Sequence, residues 1–470
     1  MSHRSPFRPT QETLRELLAL ALPVVTVQVG LMTMGVADSV MVGHISAAAL
    51  GGVALGNVYF FAVCVFGMGV LLALDPVVSQ AVGARDEPAV SRGLQRGIVL
   101  SLLLSLPASL LLLATGPFLE ALGQPAEVVP IASGYVLREI PSVFPFYAFV
   151  VFRQTLQALG RMRAIVAVIV LANLLNVGLN WVLIFGKLGF PALGADGSAW
   201  ATTLSRWAML AGIVALAWPT VRRYLLPWRS ESFEARALGR MVALGAPIGV
   251  HMQLEFGVFG TVGLLMGRLG TEAVAAHQIA LNLASLTFMV PLGVAGAATV
   301  LVGQAIGRGE QAEARRAAGA ALLVGLGFMA LAAAAFLLVP RLFASAYSSD
   351  PAVLALASIL IPIAGVFQVF DGLHVVSAGV LRGVADTRYP MAVGLIGFWL
   401  LGLPISLALG FGAGLGPPGL WWGLAAGLAI AALLLVARVR SRLRREVLRV
   451  VIDEDRRTPA DGVTASGVHS

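Results

Sequence analysis

Cysteine, acidic side chains and charge of either sign are scarce in this sequence. The single cysteine, Cys64, excludes an internal disulfide and implies no redox site; within its apolar run it reads as a small core residue. Charged residues make up only 12% of 470, far too few to cover the domains of a soluble chain this long. No Gly-x-x-x-x-Gly-Lys-Ser/Thr segment is present, so no phosphate-cradling loop serves ATP, and an ion gradient is left as the source of energy. His251 and Glu255 stand four apart, but the zinc-protease order and its second histidine are missing. His277 and His374 give no metal-ligand spacing either. The N-terminus lacks a short apolar region followed by a cleavage site, so the first apolar segment is expected to remain as a helix.

What the chain has in abundance is apolar sequence, 58% of its residues, with a mean hydropathy of +0.88. A hydrocarbon layer of roughly 30 Å takes about 20 apolar residues of helix to cross. Leu17–Ala37, Ile98–Leu119, Ala164–Gly186, Ala317–Pro340 and Ala352–Phe370 meet or approach that length. Period-two alternation, the mark of barrel strands, is absent. Spans are predicted near 16–42, 50–80, 94–116, 129–152, 163–186 and 195–218, then near 240–266, 274–303, 316–340, 352–379, 389–412 and 418–438.

The charges sort by loop. Arg4, Arg8 and Arg15, then Arg85, Arg92 and Arg96, then Arg153, Arg161 and Arg163 fall on one side. Arg222 to Arg240, Arg308 to Arg316, Arg382 with Arg388, and the arginines from Arg438 onward join them. The other side holds Lys187, Arg268 and Arg341. By the positive-inside rule both termini are cytoplasmic, the number of spans is even, and twelve fit. The same distribution accounts for the net charge of +8 without invoking nucleic acid.

An internal repeat organises the chain. Leu20-Ala21-Leu22-Pro23 resembles Leu244-Gly245-Ala246-Pro247, and Met41-Val42-Gly43 resembles Leu265-Met266-Gly267. Ser79-Gln80-Ala81-Val82-Gly83 resembles Gly303-Gln304-Ala305-Ile306-Gly307, and all three pairs share an offset of 224. Later, Leu156 to Arg163 parallels Leu381 to Arg388, and Gly197 to Trp200 parallels Gly419 to Trp422. Six spans per half preserve orientation, so the halves form two parallel-related bundles around a central cleft, an architecture suited to alternating access. The expected organisation is an N-terminal six-helix lobe over 1–221, a linker over 222–239, a C-terminal six-helix lobe over 240–438 and a basic, disordered tail over 439–470. Pro23 and Pro247 kink their helices, and a static packing kink is favoured over a hinge.

Ionisable residues at mid-span are costly, at least ~2.5–3.5 kcal/mol on the insertion scale, and so point to function. Glu255 and Asp371 lie deep in their spans, Asp38 in the outer third, and Asp75 toward the cytoplasmic end, where a structural or interfacial role reads better. The repeat places Val262, Leu31 and about Phe146 opposite Asp38, Glu255 and Asp371, so the architecture itself does not require these acids. Glu255, Asp371 and Asp38 are candidates for cation coordination or proton relay, with a buried hydrogen bond as the alternative. Asn176 and Asn180 share a helix face and, with Asp38 and Thr202, offer carboxylate, amide and hydroxyl oxygens to a small hard cation. On spacing alone, ordinary interhelical hydrogen bonding explains them as well. Arg206, near the centre of the sixth span, pairs with a buried acid, snorkels or faces the cleft, and the sequence does not choose.

At these residues the chain resembles the multidrug and toxic compound extrusion (MATE) family, in its NorM-like branch. The likeness runs from about Leu14 to Arg438 and is carried by Gly35 to Gly43, Gln80 to Ala84, Gln154 to Arg163, Gly194 to Thr202 and Gln304 to Gly307. Glu255 and Asp371 match the acid pair of that branch, and Asp38, Asn176, Asn180 and Thr202 match its N-lobe polar cluster, which favours a functional reading of the cluster. Arg206 departs from the uncharged pattern and becomes a candidate modulator. The resemblance implies a secondary antiporter of the bacterial inner membrane, exporting organic, often cationic, compounds in exchange for Na+ or H+. It implies no cofactor, no nucleotide or nucleic-acid partner, no metal beyond Na+ at the acids, and a monomer in the bilayer. The rival readings are a lipid-linked saccharide flippase, which usually has more spans and a cationic cavity, and an intramembrane enzyme, for which no helix supplies a catalytic dyad or metal triad.

Overall fold

The computed structural model describes residues 7–453, helical or irregular throughout, with π-helical stretches at Leu395–Gly402 and Ala408–Gly412 and no strand among them. Twelve helices are long and apolar enough to cross a membrane. The first half contains α1 (Gln11–Gly43), α2 (Ala47–Gly83), α3 (Glu87–Leu113), α4 (Val129–Ala158), α5 (Met162–Phe185) and α6 (Ala195–Leu225). The second contains α7 (Ala235–Gly267), α8 (Thr271–Arg308), α9 (Gln311–Leu338), α10 (Pro351–Gly383), α11 (Arg388–Gly412) and α12 (Pro417–Arg444). Most run past the limits expected from hydropathy, because hydropathy marks the hydrocarbon-crossing part while capping residues set where the helix ends. Thr10, Ser46, Asp86 and Asp350 each accept a backbone N–H from the first turn of α1, α2, α3 and α10. Gly186 and Gly309, in the left-handed conformation, close α5 and α8. Inside α2 the helix tightens at Leu72–Ala73: Pro76 has no N–H for the Leu72 carbonyl, and the Asp75 N–H takes it at 3.1 Å.

Each half forms a lobe, and the lobes meet along a seam that follows the repeat. The Gln-Ala-Val-Gly run of α2 lies against the Gln-Ala-Ile-Gly run of α8. A Cβ on Gly83 would fall 2.1 Å from the Gln304 carbonyl oxygen, and one on Gly307 would fall 2.1 Å from that of Gln80. The two glutamines then reach across: Gln80 Nε2 donates to Gly383 O at 2.9 Å, and Gln304 Nε2 to Ala158 O at 2.8 Å. Further along, Gly69 packs on Gly249, and its repeat equivalent Gly293 packs on Val25. Even the cores are exchanged, for Leu17 of α1 is buried among the C-lobe helices and Met241 of α7, its repeat equivalent, among the N-lobe helices. These approaches fall in the halves of the helices that end at the arginine-rich loops, here called the basic face. Phe61 and Phe256, with ring centroids 5.5 Å apart, extend the contact toward mid-depth.

Two expectations about the connecting segments are corrected. Arg222 and Arg223 belong to the last turn of α6, where cations suit the helix C-terminus, and Arg236 and Arg240 belong to α7. The linker is therefore confined to 226–234. Gln95 of α3 holds it, donating to the Tyr224, Leu225 and Pro227 carbonyls and accepting from Arg229 N–H and the Ser232 hydroxyl. Nor is the tail disordered from 439. Helix α12 continues to Arg444, and residues 445–453 form an irregular strap with Val447 and Ile452 buried; 454–470, like Arg4, lie outside the described residues. A basic composition reads as solvated, but here Arg438, Arg442 and Arg449 have partners.

The strap ties both lobes together at the basic face. From the C-lobe, Gln311 Nε2 donates to Val447 O and Arg315 to Leu443 O. On the N-lobe, Arg449 meets Asp86 at 2.7 Å, Val450 N–H donates to Gln80 Oε1 at 2.8 Å, and Asp453 bridges Arg92 and Arg96, each at 2.6 Å. Burial opposes the charge on both aspartates, yet the Arg449 contact and the Ala89 N–H hold Asp86 below the usual carboxylate range, and Arg96 with Arg92 does the same for Asp453. A carboxylate depressed in the folded state stabilises fully above its unfolded value, near pH 4, and loses that contribution as pH falls through the folded value. Asp453→Asn should therefore lower the thermal midpoint of the detergent-solubilised protein at neutral pH. The gap to wild type, followed by tryptophan fluorescence, should close as the pH drops below about 4. A gap that ignores pH would refute the ionic account of the strap.

Candidate functional site

Both lobes carry buried polar groups at membrane depth, and they are built differently. In the N-lobe, Asp38 of α1 faces α5 and α6 and is 3% exposed. Its Oδ1 accepts from Asn180 Nδ2 at 2.5 Å and its Oδ2 from the Thr202 hydroxyl at 2.8 Å; Asn180 Nδ2 also lies 3.2 Å from Asn176 Oδ1. The four residues proposed from the sequence are thus together. Asn180 meets the carboxylate as a donor, so the cluster is a hydrogen-bonded network around one negative charge rather than an array of oxygens facing a common point.

Arg206, one helical turn beyond Thr202 on α6, settles its own question. Its guanidinium stands 3.6 Å from Glu139 of α4 and donates to the Ser142 hydroxyl at 2.7 Å. It also lies over the Phe60 ring at 4.4 Å and 5.4 Å from the Phe146 centroid. Pairing with a buried acid is the correct alternative. Glu139, fully buried, is the acid that sequence reading passed over, because Arg138 beside it and Pro141 after it give this part of the span the look of a helix end. A buried pair of this kind holds because removing either partner strands the other charge in a medium that solvates it poorly.

In the C-lobe, α7 and α10 bring Glu255 and Asp371 together. One carboxylate oxygen of each, and one ring nitrogen of His374, lie within 4.8 Å of one another. Asp371 is 7% exposed and His374 1% exposed, while Glu255 is partly buried. No lysine or arginine among the described residues forms an ion pair with either acid. His251, a turn before Glu255, stacks on His374 with centroids 5.2 Å apart, and Phe398 of α11 meets His374 edge-on at 5.4 Å. No single helix supplies these three groups, in keeping with the sequence; the ligand-capable atoms come from two helices. Asp371 and His374 are i, i+3 on one helix face, a spacing legible in the sequence; only the acid's partner from α7 needed the fold.

Of the two roles expected for Asp75, structural or interfacial, its surroundings fit the structural one. It is 4% exposed and paired with Arg382 of the other lobe at 3.2 Å. Cys64 is buried, as expected of a small core residue.

The MatE family model matches the chain twice, over residues 23–182 and 247–407, with starts separated by the repeat offset. A probable multidrug resistance protein NorM of Mesorhizobium japonicum is 37% identical over 444 residues, covering 93% of this chain and 95% of that protein. The multidrug resistance protein PmpM of Pseudomonas aeruginosa is 37% identical over 442 residues, covering 92% of each. Among solved structures, the eukaryotic MATE transporter AtDTX14 superposes with a TM-score of 0.84 at 24% identity, over 93% of this chain and 100% of that one. That likeness supports the fold, and the sequence matches carry the relationship. This twelve-span membrane protein, built from two copies of one helical unit, belongs to the MATE family of transporters, in its NorM-like branch.

Proposed function

We propose that the protein is a secondary antiporter that exports organic, often cationic, compounds in exchange for Na+ or H+ by alternating access. One observation carries this reading: two membrane-embedded carboxylates, Glu255 and Asp371, face each other with no basic ion-pair partner among the described residues. A pair of uncompensated acids at that depth is costly unless a cation visits it. A bound ion and a cationic substrate compete for the same negative charge, so loading one releases the other. The names of the relatives, both multidrug resistance proteins, point the same way and away from an enzyme or a saccharide flippase.

By the positive-inside rule the arginine-rich loops support a cytoplasmic basic face with both termini inside, and we propose a monomer in the bacterial inner membrane. From the seam and strap that join the lobes at that face we infer that this conformation is closed toward the cytoplasm. Transport then requires the seam to part.

Glu255→Gln and Asp371→Asn should each abolish dye export from everted vesicles while leaving expression and thermal midpoint near wild type, because an amide packs like the acid but carries no charge. Full ethidium export by either variant would refute the assignment.

Asp38→Asn should also stop export. Its amide would turn an N–H2 toward Asn180 or Thr202, both of which already donate, and would remove the one negative charge at the centre of the cluster. Asp75→Asn leaves Arg382 without its partner at the seam and should act first on thermal stability. Near-normal export in Asp38→Asn would reduce the N-lobe cluster to interhelical packing.

Carboxylate oxygens with helix carbonyls suit Na+, and a sodium gradient is expected to drive efflux from proteoliposomes held at constant pH. Efflux driven as fast by a proton gradient in sodium-free buffer would make the same two acids proton carriers instead.

A further inference from the structure

Imidazole is foreign to a site meant only for a hard monovalent cation. His374 is 1% exposed, yet neither ring nitrogen has a hydrogen-bond partner among the described residues. A buried imidazole in that condition has lost its hydration without replacement, at a cost that a ligand would offset. One of those nitrogens lies within 4.8 Å of a carboxylate oxygen of both Glu255 and Asp371. An ion at the centre of three atoms at that limit would be about 2.8 Å from each, and modest side-chain rotation brings them to the ~2.0–2.2 Å that zinc takes with nitrogen and carboxylate oxygen.

We infer that Glu255, Asp371 and His374 form a binding site for a borderline first-row divalent cation such as Zn2+ or Co2+. Two carboxylates alone would favour Mg2+, Ca2+ or Mn2+, whereas an added imidazole moves preference toward the later metals. The Asp371–His374 spacing is the carboxylate-x-x-His arrangement that places both ligands on the inner face of a helix, with the opposing carboxylate supplied from a second helix. Three protein ligands leave coordination positions for water. Binding rests on the geometry alone; its consequence for transport, occlusion of the coupling site by an ion that leaves slowly, rests on the proposed antiport.

The test uses untagged, metal-free full-length protein in detergent, titrated with Co2+ and followed by its visible ligand-field absorption, with Zn2+ measured by equilibrium dialysis. One Co2+ per chain is expected, displaced by Zn2+. Loss of even an outer-shell partner typically costs metal sites 10–100-fold, so Glu255→Gln, Asp371→Asn and His374→Phe should each weaken binding at least tenfold. His374→Gln serves if the phenylalanine variant fails to fold, and His44→Gln, at an exposed position, should bind as wild type does. Unchanged affinity in both His374 variants, or loss of binding in His44→Gln, would overturn the site. In proteoliposomes, Zn2+ at saturating concentration should block dye export and the same concentration of Mg2+ should not; equal inhibition by both would overturn the selectivity. Because binding is read without transport, export that survives in Glu255→Gln and Asp371→Asn would remove the antiport reading and leave the metal titration to decide this one.

Discussion

Everything in this molecule is organised by one backbone contact made twice. Where α2 meets α8, two copies of the same four-residue motif lie so close that the glycine of each has room only for the other's main chain. Any side chain at Gly83 or Gly307 would drive the lobes apart at the basic face. The glutamine of each motif then caps a helix carbonyl across the seam, so the polar groups that a dry interface would strand are satisfied by the repeat itself. A seam of glycines and a few hydrogen bonds is close-packed yet carries little interlocking side-chain bulk. Parting it also withdraws Leu17 and Met241 from the opposite lobe's core. The Asp75–Arg382 pair has no repeat-related counterpart, since Thr299 and Gln157 occupy the equivalent positions, and it supplies an ionic element to one side only.

The two lobes share a scaffold and divide the electrostatics. In the N-lobe Asp38 accepts from two neutral donors and Glu139 is matched to Arg206. In the C-lobe Glu255 and Asp371 stand with histidine neighbours. The repeat makes the contrast concrete: about where the C-lobe carries Asp371, the N-lobe carries Phe146, over which the Arg206 guanidinium lies. One repeated scaffold thus carries an uncompensated pair on one side and a compensated one on the other.

Much of this was legible in the sequence because the membrane imposes simple rules. Span number follows from apolar run length, and the repeat follows from Pro23/Pro247 and the paired Gln-Ala-x-Gly runs. The Asp38, Asn176, Asn180 and Thr202 set could be assembled from helix periodicity together with family likeness. What could not be read were pairings between distant helices. Glu139 was disguised by its neighbours, and the His374 nitrogen gained meaning only when α7 delivered Glu255. The order of 445–453 was hidden because a run of arginines looks solvated until Asp86, Asp453 and the carbonyls of the strap are seen beside it.

The strap has a consequence for the order of assembly. Arg92 and Asp453 are 361 residues apart in the chain, and Asp86 and Arg449 are 363 apart. At ribosomal speeds of about 5–20 residues per second, the N-lobe waits roughly 20 to 70 s between exposing Arg92 and receiving the acid that neutralises it. During that interval Arg96 has no ion-pair partner and Arg92 only Glu231, 3.6 Å away, so positive charge that orients the nascent chain is still largely free. The charges that fix topology early are then consumed in closing the finished protein, so one set of arginines serves insertion first and cohesion afterwards.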